Sequence, residues 1–226
     1  MCLGLVGGLG VGAAVQYYRE LARMHAERGS PMRLVMIHAD VNRVLGHAAA
    51  GETGLLAEYL AALISRMKDA GAQIAAIPAV TPHICEPRLR EIVSLPLVSL
   101  VEEIVREVRR RGLKRVALFG TRFVIESALF GRLEDVRVIS PRPDEIEVIH
   151  EAYLEIVSAG VGSAVVRERL RRIAHRLCDE AGAEAIILAG TELSLVFEPE
   201  NTDFPCVDGT RLHLDALMRK VFSVVG

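Results

Sequence analysis

The sequence predicts an α/β fold in two similar lobes with mostly parallel sheets, and three observations lead there. Short apolar runs alternate with longer amphipathic stretches along the whole chain, the pattern of strands joined by crossover helices. Glycine-rich breaks follow several of the apolar runs, as strand-to-helix turns require. The pattern also restarts half-way. Gly8 and Gly120, each after a first strand, lie 112 residues apart, and Ala79 and Gly190, each after a later strand, lie 111 apart. Near-equal offsets for two separate landmarks indicate an internal duplication.

The elements follow in order. Residues 2–6 read as a strand, 7–12 as a glycine turn and 13–28 as an amphipathic helix that Gly29-Ser30-Pro31 ends, because Gly and Pro cannot continue it. A strand over 33–38, a helix over 54–70 stopped by Gly71, a strand over 73–77 and a helix over 98–111 complete the first repeat. The second begins with a strand over 115–119, a turn at 120–122 and a short strand over 136–139. Helices over 145–159 and 162–181, a strand over 184–188 and a last helix over 210–222 follow. The expected domains are 1–100 with 207–226, the last helix returning to the first lobe, and 101–206. Each lobe is then Rossmann-like. In open α/β sheets the ligand crevice lies outside the carboxyl ends of the strands, so an inter-lobe active-site cleft is expected.

Composition narrows the function. With 51% hydrophobic and 25% charged residues, the chain of 226 residues can bury real cores and is not a disordered type. A formal net charge of −2 gives no support for nucleic-acid or membrane-surface binding. The runs at 106–114 and 167–172 carry interspersed glutamates and read as solvated helix faces. No segment reaches the roughly 18 apolar residues of a membrane helix, and the apolar start is too short for a secretion signal, so a cytoplasmic protein is expected. Cys2, Cys85, Cys178 and Cys206 have no metal-ligand or CxxC spacing and are expected to be buried free thiols.

The first turn, Gly8-Leu9-Gly10-Val11-Gly12-Ala13, has the form of a dinucleotide-binding fingerprint. The next candidate acid, Asp40, comes well past the usual spacing of about 20 residues, which argues against that use. Two further turns are more informative. Ile77-Pro78-Ala79-Val80-Thr81-Pro82-His83 and Leu188-Ala189-Gly190-Thr191-Glu192-Leu193 each break from an apolar run into small residues with a threonine.

Together with Gly7-Gly8-Leu9-Gly10, Gly120-Thr121-Arg122-Phe123-Val124-Ile125-Glu126-Ser127 and Asp208-Gly209-Thr210-Arg211-Leu212-His213, these turns resemble the ordered motifs of the aspartate/glutamate racemase superfamily. That resemblance implies proton transfer at the α-carbon of a small amino or carboxylic acid, without PLP or metal, by two thiols on opposite faces of the substrate. It also implies a homodimer. In this sequence the two cysteine seats hold Ala79 and Gly190, and Val80 stands where the family has an asparagine that holds substrate carboxylate. Neither Ala79 nor Gly190 can carry a proton.

Another group must therefore act, or none does. By residue type His83 and Glu192 are the catalytic candidates, His83 because its pKa lies near neutrality. Each also has a purely structural reading: His83 as a histidine that orders its turn, Glu192 as a carboxylate bonded to threonine or backbone. The substrate-binding candidates are Gly8, Leu9, Gly10, Ala79, Val80, Thr81, Thr121, Arg122, Gly190 and Thr191, with Arg122 suited to a bidentate carboxylate contact. Asp40 and Asn42 are placed as cleft-lining polar residues, with His38 and His47 weaker. Glu126 is read as a helix-start cap, Arg211 as a second carboxylate partner and His213 as structural. The expected function is a racemase-family protein with non-standard catalytic residues and no cofactor. The alternatives are a non-catalytic small-acid binder and a decarboxylase, lyase or isomerase of the same superfamily.

Overall fold

A computed structural model describes residues 1–198 and 200–223. It divides into two compact units, Met1–Leu100 together with the segment from His213 on, and Val101–Leu212. The first unit contains β1 (Leu3–Gly7), α1 (Val11–Glu27), β2 (Leu34–His38), α2 (Val41–Ala49), α3 (Thr53–Asp69), β3 (Ile74–Ala76), α4 (Glu86–Ile92) and β4 (Leu97–Val98). Then come α5 (Leu100–Arg110), β5 (Arg115–Phe119), α6 (Arg122–Glu126), β6 (Arg137–Val138), α7 (Pro143–Ala159), α8 (Ala164–His175), β7 (Ala185–Leu188) and β8 (Cys206–Asp208). The final helix α9 (Gly209–Phe222) begins in the second unit and enters the first at His213.

Both sheets are parallel and share one order: β2-β1-β3-β4 in the first unit and β6-β5-β7-β8 in the second. The duplication expected from the glycine offsets is thus a duplication of topology. In each unit the chain leaves the first strand toward one side and returns on the other. The turns after β1 and β3, and those after β5 and β7, therefore flank a switch point.

In the first unit the strands alternate between two cores, as a period of two dictates. Leu3, Leu5, Ile74 and Ala76 pack with Tyr17 and Leu21 of α1 and with Leu214, Leu217 and Met218 of α9. Val6, Ala75 and Ile77 face the opposite side, where Leu56, Leu60, Ile64 and Met67 of α3 meet Leu89 of α4. Helix α1 buries Ala13, Tyr17, Leu21 and His25 at a spacing of four, one stripe of a helix.

Several expected elements shift. Helix α7 starts two residues early, because Pro143 is well suited to a first helical turn and the Glu145 carboxylate accepts the Arg142 N–H at 2.8 Å. The single helix expected over 162–181 is α8, capped by the Ser163 hydroxyl on the Val166 N–H, followed by a π-type turn over Arg176–Glu180. The expected strand over 136–139 shrinks to Arg137–Val138. Helices α2, α4 and α6 and strands β4 and β8 were not anticipated, since each is too short to show a period. The cysteine expectation is corrected in part: all four thiols are free, but only Cys85 is buried, and Cys2, Cys178 and Cys206 are half-buried.

After α6 the backbone turns left-handed at Ala128, Leu129 and Phe130, with φ of 47, 56 and 59°. This conformation costs an L residue about 1–2 kcal/mol. Leu129 is fully buried and its N–H reaches the Val124 carbonyl at 3.0 Å, so core packing and capping hold the segment there. Ala128→Gly is expected to stabilise the protein by about 1 kcal/mol, read as a raised midpoint in urea at unchanged slope.

Candidate active site

The turn after β1 is fixed by contact. Gly8 has φ +86°, and a Cβ there would lie 2.5 Å from the Ala39 carbonyl oxygen. Its glycine is required by the neighbouring β2–α2 turn, whatever ligand the following amides face. Gly10 is the residue before α1, and Leu9 packs partly buried against the α3-side core.

The turn after β3 carries Ala79 and Val80, both buried, and a half-buried Thr81 that opens a 3₁₀ turn, Thr81–Cys85. His83 holds this turn together. Its Nδ1–H donates to the Ala79 carbonyl at 2.8 Å, and its Nε2 accepts the Leu100 N–H at 3.3 Å. Both ring nitrogens are engaged by backbone and the residue is 3% exposed. Burial pushes the His83 pKa below its ordinary value, which keeps the ring neutral. Cys85 offers no reactive thiol: burial pushes its pKa up to about 12, and its Sγ donates to the Pro82 carbonyl.

In the second unit the turn after β5 is a helix start. The Thr121 hydroxyl accepts the Val124 N–H at 3.3 Å as the N-cap of α6. Arg122 is exposed and ion-paired with Glu147, and its N–H meets His150 Nδ1 at 3.3 Å. Burial and then the Arg122 charge lower the His150 pKa. Glu126 closes α6 rather than capping its start, a correction that follows from Thr121 taking the N-cap.

The turn after β7 differs from the rest. Gly190 leads into a 3₁₀ turn, Thr191–Leu195, whose first carbonyl accepts the Thr210 hydroxyl at 3.1 Å. Glu192 is 1% exposed. Its Oε2 accepts the Tyr153 hydroxyl at 2.6 Å and the Thr191 hydroxyl at 3.0 Å, while its Oε1 is buried with no hydrogen-bond partner. Burial, then the Glu192 charge, holds the Tyr153 phenol well above its ordinary pKa, so it remains a donor. Sequence reading missed Tyr153, which lies 39 residues before Glu192 on the half-buried side of α7.

Other candidates lie elsewhere. Asp40 is exposed and caps α2, accepting the Asn42 and Arg43 N–H groups at 2.9 and 3.3 Å. His47 meets Glu52 at 2.7 Å, His38 and Asn42 are exposed, and Arg211 is exposed 4.0 Å from Asp208. Among the described residues no group of three or more His, Cys, Asp or Glu could hold a metal ion. No helix among them is long and apolar enough to cross a membrane.

The Asp/Glu/Hydantoin racemase family model matches residues 6–217. The chain belongs to this racemase family. A curated relative, the broad specificity amino-acid racemase RacX of Bacillus subtilis (strain 168), is 23% identical over 151 residues. That match covers 64% of this chain, and the chain spans about 63% of the relative's length. The fold matches an aspartate racemase homologue from Pyrococcus horikoshii OT3 with a TM-score of 0.78 at 22% identity, covering 97% of this chain and 98% of the other. It also matches glutamate racemase from Francisella tularensis subsp. tularensis SCHU S4 in complex with D-glutamate, with a TM-score of 0.69 at 15% identity, covering 99% and 82%. The α/β architecture is therefore that of racemase structures.

His213 is the most deeply buried histidine of this racemase-family chain. Its Nδ1 accepts the Tyr17 hydroxyl at 2.8 Å and its Nε2–H donates to the Val98 carbonyl at 3.0 Å. Burial, then the neighbouring His83, brings its pKa down to about 3. The unfolded chain takes up a proton near pH 6.5 that the folded ring refuses. Stability from this group is complete above pH 6.5 and is lost as the pH falls toward 3, on the order of a few kcal/mol in total. The melting temperature is expected to fall on acidification through this window. His213→Asn should lower it at pH 7 and flatten the fall, with His83 and His25, also held below the usual value, carrying the remaining slope.

Proposed function

We propose that this racemase-family chain catalyses cofactor-independent proton transfer at the α-carbon of a small amino or carboxylic acid, with Glu192 as base. The observation that carries this reading is the unpartnered, buried Oε1 of Glu192. A buried carboxylate oxygen without a donor is costly to the fold, so its retention calls for a use beyond packing. In the step, Oε1 takes the α-proton and the C–H electron pair remains on the α-carbon, delocalised into the substrate's own carboxylate. Return of the proton from Oε1 closes the cycle.

Beside Glu192, Gly190 and Thr191 carry the substrate-binding role. Gly190 can contribute only backbone groups, which suits a carboxylate. The relatives favour amino acids: RacX is a broad specificity amino-acid racemase, and the Francisella enzyme is in complex with D-glutamate. The same reading includes a cytoplasmic homodimer working without PLP or metal. Val11, Val15 and Tyr18, an exposed stripe on α1 at 63, 52 and 51%, support association of two copies.

His83, the other catalytic candidate, could act as a base only by giving up its bond to the Leu100 N–H. This favours chemistry at one face of the substrate, as in a lyase or isomerase, over two-base racemisation.

Proton NMR in D₂O with aspartate, glutamate, other amino acids and small diacids tests the assignment. Loss of the α-proton signal of an amino acid is expected, faster than loss of optical purity, and at least 100-fold slower in Glu192→Gln. Exchange unaffected by Glu192→Gln would remove Glu192 as base. No exchange with any acid, together with a ligand that raises the melting temperature, would identify a binding protein.

A further inference from the structure

Gly190 has φ −147° and ψ 124°, extended backbone that any residue adopts, so conformation does not explain the glycine. Contact does. A Cβ at 190 would lie 2.5 Å from Cε2 of Tyr153 and 3.0 Å from its Cδ2 and Cζ. The ring stands in the volume that a side chain at 190 would fill. It is tethered at both ends: its Cα belongs to α7, and its hydroxyl donates to Glu192 Oε2 at 2.6 Å. A ring held in this way cannot swing aside without breaking the bond to the carboxylate.

We infer that Tyr153 is a positioning residue matched to Gly190: its ring closes the place beside residue 190 and its hydroxyl occupies Glu192 Oε2, leaving Oε1 as the one unpartnered oxygen of that carboxylate. This rests on the assignment of Glu192 as base. The Thr191 hydroxyl on Oε2 completes the arrangement. With both donors on one oxygen, the carboxylate plane is fixed and proton transfer is directed to the other. The phenol's raised pKa keeps its proton in place through the neutral range, so it holds the base without competing as one. Residue 190 and residue 153 are consequently coupled. A side chain added at 190 by one substitution meets the ring, which must shift at a cost to stability or be removed as well.

Two measurements separate this inference from the function on which it rests. Tyr153→Phe keeps the ring and removes the hydroxyl. It is expected to lower kcat for α-proton exchange about 10- to 100-fold, with KM within about twofold and the melting temperature lowered by a few degrees through the lost donor. An unchanged kcat, or a loss confined to KM, overturns the positioning role. The second measurement needs no activity. Gly190→Ala is expected to lower the melting temperature in the wild-type background by several degrees, and to cost little in the Tyr153→Ala background. Additive effects overturn the match between the two residues. If wild-type protein exchanges no acid at all, the function of Glu192 and the positioning role fall together, and the stability coupling alone decides whether ring and glycine are matched.

Discussion

The order of strands in each sheet is the constraint on which the rest depends. A parallel sheet ordered β2-β1-β3-β4 forces the chain to leave its first strand in one direction and to approach its third from the other. The turns at the carboxyl ends of those two central strands then have no helix crossing between them. Small residues gather there because backbones approach closely, as Gly8 does to the Ala39 carbonyl. The second sheet repeats the order, so four such turns exist and their residues are free to diverge without disturbing the strands below. Cores made of alternating Leu, Ile, Val and Ala hold the scaffold, and the turns carry what chemistry there is.

The two turns that follow the third strand of each repeat differ in what they expose to hydrogen bonding. After β3, Ala79 and Val80 point no polar group outward, and His83 spends both nitrogens on backbone partners. After β7, Glu192 keeps one buried oxygen without a partner while Tyr153 and Thr191 share the other. A duplicated fold does not require identical turns. One turn is a packed corner, and the other holds a desolvated carboxylate.

Much of this was legible in the sequence and some was not, for physical reasons. The long elements were readable because α1 and α3 bury a stripe that repeats over several turns. The near-equal offsets of 112 and 111 between turn positions exposed the repeat. Strands β4 and β8 span two and three residues, too few for a period to register. Asp40 and Thr121 look like ligand groups in a sequence, yet each caps a helix, because a short polar side chain before a helix start serves either purpose. Tyr153 carries no local signal at all. Its meaning comes from Gly190 and Glu192, on a different element, and only the packing of α7 against the turn after β7 brings the three together.

The histidines and Glu192 differ in how much of their hydrogen-bonding capacity the fold uses. His83, His213 and Glu192 are all nearly inaccessible. Each histidine has one donor and one acceptor when neutral, and each spends both: His83 on Ala79 and Leu100, His213 on Val98 and Tyr17. Such groups are complete, and protonation only breaks what they hold. Glu192 has four lone-pair directions and spends two, both on one oxygen. Burial alone does not separate these residues, and neither does residue type, since by type the histidine is the better base. What marks Glu192 is capacity left over after the fold has been satisfied, held in a fixed orientation by neighbours that take everything except the one oxygen.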